Sequence, residues 1–123
     1  MISHVRERVF VITTEDGDDL IVGYGIKLRE PDSIASLILQ RSPKFEHLLP
    51  PEERGVAVSY ELHPSEDRQV LQSVSIKGVE VNIVTNAHVY RLDLSDVDAE
   101  ESEEAVAVLK RMHGYGGFAL RLR

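Results

Sequence analysis

The chain has 123 residues, 42% hydrophobic and 28% charged, with no cysteine or tryptophan, and its 14 Lys and Arg against 21 Asp and Glu leave a net charge of −7. That length supports one core burying roughly two-thirds of the unfolded surface, and the missing cysteines exclude a disulfide scaffold and a Cys-ligated zinc module. The bases are scattered among the acids, so the sequence predicts no nucleic-acid partner and no membrane partner.

No apolar stretch approaches the ~20 residues of a membrane-spanning helix, and Arg6, Glu7 and Arg8 precede any long apolar run. A cytoplasmic location is expected. Residues 9–28 carry the clearest hairpin signal, apolar runs on either side of EDGDD with Asp16-Gly17 at the turn. In the second arm Leu20, Val22, Tyr24, Ile26 and Leu28 alternate as a core face, and Gly23 and Gly25 on the other face mark a bulge or a close backbone approach. Pro31 and Asp32 then offer a helix start, with Ile34, Leu37, Ile38 and Arg41 at helical spacing. The stretch 42–54, broken by Pro43, Pro50 and Pro51, reads as a structured connector.

From Gly55 the period becomes two: Val56, Val58, Tyr60 and Leu62 share a face, and further strands are expected over 70–77, 79–85 and 89–94. Asp98 followed by Glu101 fits a capping box for a second helix whose apolar stripe is Ala105, Val106, Leu109 and Met112, ended by Gly114. Phe118, Leu120 and Leu122 alternate in a last strand. The predicted fold is one α+β domain over residues 1–123, a mainly antiparallel sheet of about seven strands with two helices, in the order β-β-α-β-β-β-β-α-β.

Histidine is the natural carrier of metal or proton chemistry, and the five stand at positions 4, 47, 63, 88 and 113 without a paired metal-binding spacing. No metal or cofactor is expected. The run His63-Pro64-Ser65-Glu66-Asp67 holds triad residue types, yet such groups must converge in space, and neighbours in a turn do not form the relay. Gly114-Tyr115-Gly116-Gly117-Phe118-Ala119 matches GxGxxA as text, but a helix precedes it and a strand follows, the reverse of a dinucleotide fingerprint. A calcium-loop count started at Asp96 meets Glu101 where glycine is required and Ala107 where the bidentate Glu belongs.

Seven acids, Asp93, Asp96, Asp98, Glu100, Glu101, Glu103 and Glu104, fall in twelve residues without Lys or Arg and equal the net excess. Glu100, Glu103 and Glu104 point away from the apolar stripe, a face suited to solubility or to a basic partner. Phe45, Leu48 and Leu49 of the connector form a second candidate surface. The sequence therefore predicts a non-catalytic protein-interaction domain, an adaptor or acidic inhibitor, homodimeric through an edge strand or the connector. The alternative is a small-ligand binder or small enzyme with a sheet–helix pocket using His63 or His88 with Glu61 or Asp93.

Overall fold

The computed structural model describes residues 7–28, 33–62 and 68–123. The hairpin forms as predicted, β1 (Glu7–Asp16) and β2 (Leu20–Lys27), followed by β3 (Ile34–Arg41), β4 (Ala57–Tyr60), β5 (Gln69–Lys77), β6 (Glu80–Thr85) and β7 (Val89–Asp93). Helix α1 (Ala99–Gly114) and strand β8 (Ala119–Leu122) complete the chain, and two 3-10 turns, Pro43–Leu48 and Pro51–Glu53, occupy the connector. The class is α+β.

The expected first helix is a strand. Ala35, Leu37, Leu39 and Arg41 are buried on one face of β3, which pairs antiparallel with β2 along its whole length and with β4 over its second half. Apolar residues fall on both faces of this run, Leu37 and Leu39 on one and Ile34 and Ile38 on the other, so it satisfies either period, and sheet pairing on both edges decides between them. The Pro31–Asp32 start assigned to that helix lies outside the described residues. With β3 restored, one sheet of eight strands runs in the order β4-β3-β2-β1-β7-β6-β5-β8.

The sheet is mixed: six of its eight strand pairings are antiparallel, as expected, and β1–β7 and β5–β8 are parallel. β4 also pairs with β5, so β1 to β7 form a ring sealed by two short seams: β4–β5 antiparallel, and β1–β7 parallel through Glu7 and Arg8. β8 lies parallel to β5 along Ser73–Ile76, beyond the point where β4 leaves that edge. The ring is a filled barrel. Inward side chains at alternate positions, among them Val22, Tyr24, Leu37, Leu71, Ile83 and Leu92, are fully buried, and the Tyr60 and Tyr90 rings meet edge to face at 5.5 Å from nearly opposite strands.

The two β2 glycines serve the barrel's outer surface. A Cβ on Gly25 would lie 2.6 Å from Val11 Cγ1, and one on Gly23 would lie 2.7 Å from Thr13 Oγ1. Their bare backbones admit the β1 side chains opposite, where the register slips at a bulge between Val9 and Val11.

Past Arg8, β7 no longer pairs with β1, and α1 packs there against β1, β2 and β8. Its buried residues are Ala105, Val108, Leu109 and Met112, so the stripe is rotated from the predicted one: Val108 is inside and Val106 only half-buried. No helix among the described residues is long and apolar enough to cross a membrane.

Candidate functional site

The end of β3 places a charge inside the molecule. Strand alternation carries Ala35, Leu37 and Leu39 inward and takes Arg41 with them, leaving it only 4% exposed. A guanidinium has five N–H donors and none can be shed by deprotonation, so a buried Arg needs five acceptors. Arg41 finds them. Nε donates to Glu46 Oε1 at 2.5 Å and Nη2 to Glu46 Oε2 at 3.1 Å, while the remaining donors reach the carbonyls of Met112 at 2.9 Å, Tyr115 at 3.1 Å and Gly116 at 2.5 Å. The Tyr115 ring stacks on the guanidinium at 5.6 Å.

Those three carbonyls belong to the end of α1 and the turn after it, where the helix dipole is negative and orphan acceptors gather. Arg41 thus joins β3, the helix end and, through Glu46, the connector. Ser42 Oγ donates to Asp19 Oδ1 at 2.5 Å, Lys44 approaches Asp18 at 3.8 Å, and Arg111 pairs with Asp16. The acids of the β1–β2 turn therefore hold the connector and the helix end as well as shaping the turn.

On this fixed base the connector turns its apolar side chains outward. Phe45 is 49% exposed and Leu48 70%, with Leu49 half-buried behind them. Together with Gln40, Leu49, Ala57 and Arg68 they line a groove of about 570 Å³. The expected connector surface is thus brought together by one buried ion pair that sequence reading missed. Its signal was the odd-numbered phase of β3, which puts Arg41 with Leu37 and Leu39, and a glutamate five residues on.

The acidic segment divides into two groups. Asp93 accepts from the Ser95 N–H, Asp96 pairs with Arg8, Asp98 is the N-cap accepting from the Glu100 N–H at 3.2 Å, and Glu101 Oε1 accepts from the Ile12 N–H at 3.0 Å. The capping box is only half made. Instead of reaching back to its own cap, Glu101 satisfies β1 backbone where β7 has ceased to pair. Glu100, Glu103 and Glu104 are exposed and engage no described residue through their side chains.

The alternative catalytic set does not converge among the described residues. His88 is half-buried against the Tyr90 ring at 5.9 Å, Glu61 accepts from the Ser36 N–H at 3.1 Å, and His63 lies outside the described residues. His88 immediately precedes β7 and Asp93 ends it, roughly 16 Å apart along the extended chain. Within the barrel, Gln69 Oε1 accepts from Tyr90 Oη at 2.9 Å and Thr85 Oγ1 at 3.0 Å. Burial, with Glu7 adding to it, pushes the Tyr60 hydroxyl up to about 12. Among the described residues no three His, Asp or Glu side chains stand where they could hold a metal ion. No protein-family model, curated protein or solved structure matches the chain.

Proposed function

We propose that this chain is a non-catalytic interaction domain that associates with a second copy of itself through the connector. The observation that carries the reading is an exposed apolar pair, Phe45 and Leu48, that forms the lip of a groove of about 570 Å³. A groove with a protruding apolar lip can be self-complementary under a two-fold axis, each copy's Leu48 resting against the other's groove. The charge of −7 does not oppose this contact. Of the residues lining the groove Arg41 and Arg68 are cationic and Glu46 is anionic, 2 − 1 = +1, while the acidic run lies at the other end of a helix about 24 Å long.

The test is Leu48→Asp, followed by light scattering over a concentration series together with thermal unfolding of the dilute protein. The dimer is expected to dissociate at least tenfold more readily, with the fold intact because the side chain is exposed. A wild-type protein that is monomeric at every concentration sinks the reading.

Glu100, Glu103 and Glu104 support a second contact, with a basic protein, because the other four acids of the segment already have structural partners. Replacing the three with Gln should flatten the salt dependence of partner capture.

A further inference from the structure

A cleft of about 450 Å³ separates the outer face of α1 from the β5–β6 hairpin. Ile76, Val81, Leu94 and Val106 make its walls apolar, and Tyr24 reaches it from the middle of β2. Tyr24 is 1% exposed, and its hydroxyl exchanges no hydrogen bond with any described residue. Its oxygen is not sealed away from the cleft, and a donor with no protein acceptor at a cleft of ligand size marks where a ligand's acceptor fits. Burial raises the pKa of this hydroxyl, which keeps its proton and acts as a donor.

The rim fixes the charge of what enters. Glu103 and Lys110 both border the cleft, seven residues and about 10 Å apart along the helix, and their opposite signs leave no net field for an ion. Tyr24 offers this end of the ligand a donor, and a carbonyl oxygen is an acceptor that brings no donor of its own; Ser102 and Glu103, the side-chain acceptors of the cleft, line it from α1.

We propose that this cleft binds a small, uncharged, mainly apolar molecule carrying a carbonyl oxygen, its body held between α1 and the β5–β6 hairpin and its oxygen accepting the Tyr24 hydroxyl. The site is separate from the connector and stands whether or not the protein dimerises.

Acetophenone and α-methylstyrene have the same shape and differ only in C=O against C=CH2, which makes them a matched pair of probes. Titrated into the full chain and followed by amide NMR shifts, acetophenone should move residues 76–81 and 102–110. The ratio of its affinity to that of α-methylstyrene should fall roughly five- to tenfold in Tyr24→Phe, the loss of one hydrogen bond. Ala107→Phe, at an exposed helix position on the cleft, should abolish binding of both probes, and it decides the location even if Tyr24→Phe does not fold. Shifts confined to other residues, an affinity ratio unchanged in Tyr24→Phe, or full binding by Ala107→Phe would each overturn the proposal.

Discussion

The two ends of α1 are both tied to the barrel, and they are tied by opposite chemistry. At the C-terminal end a buried cation gathers three carbonyls and a carboxylate, with each of its donors used. At the N-terminal end half-exposed carboxylates each accept a single backbone N–H, and surplus acids stand in water. Both arrangements follow the helix dipole, positive charge at the last turn and negative at the first. They differ in what removal leaves behind. A buried partner leaves unsatisfied groups that water cannot reach, whereas an exposed one leaves groups that water solvates.

The largest expected effect follows directly. Arg41→Met strands the Glu46 carboxylate and the buried Met112 carbonyl, and should cost about 3–5 kcal/mol in urea unfolding. Glu46→Gln, which keeps one acceptor and all the carbonyl bonds, should cost less than half as much. If Arg41→Met proved no worse than a change at the helix start, the contrast between the two ends would be gone.

Alkaline pH sets a third region, the barrel interior, against the two helix ends. Burial, with Glu7, Tyr90 and Glu61 adding to it, lifts the Tyr60 hydroxyl to about 12, and burial also raises Tyr24 and Tyr90. The unfolded tyrosine ionises near 10, so the unfolded state loses its proton first. Stability is therefore full below about pH 10 and falls as pH rises toward 12, by about 1.4 kcal/mol per pH unit for each such tyrosine. Urea midpoints between pH 9 and 11, a window flagged by the ordinary tyrosine value of about 10, should show that decline, and Tyr60→Phe should make it shallower.

The N-terminal end supplies the next effect. Glu101→Ala leaves the Ile12 N–H without its acceptor at a part-buried site, and should cost about 1–2 kcal/mol. Glu101→Gln retains an acceptor oxygen and should recover most of that loss. Equal losses from Ala and Gln would mean that the helix dipole, not the bond to β1, gives this side chain its value.

How much of this was readable from the chain depended on whether the signal was local. The hairpin with Asp16-Gly17, the period-two strands and the Asp98 cap rest on neighbouring residues, and each appears where the pattern put it. β3 was misread because an eight-residue run with apolar residues on both faces carries no decisive period, and its identity is settled by β2 and β4. The ring closures, the Arg41 contacts 71 to 75 residues away and the Glu101 bond to Ile12 across 89 residues are set by topology, which no window of sequence contains. Phe45 and Leu48 were visible as an apolar pair among prolines, but their rigidity comes from Glu46 meeting an arginine assigned to the wrong kind of element.

The smallest effect has the opposite sign and reads the surplus charge directly. Glu100 and Glu104 sit one helical turn apart, both exposed, and repel at the i, i+4 spacing. Glu104→Lys turns that repulsion into a pair with the acid on the N-terminal side, the favourable orientation, and should stabilise the protein by a few tenths of a kcal/mol at low salt. High salt should erase the gain, because both groups are in water. The same substitution at the buried end, where geometry uses every donor, has no counterpart that stabilises. A gain that persisted at high salt would show this face to be less solvated than its exposure indicates, and would bring the two helix ends closer in kind.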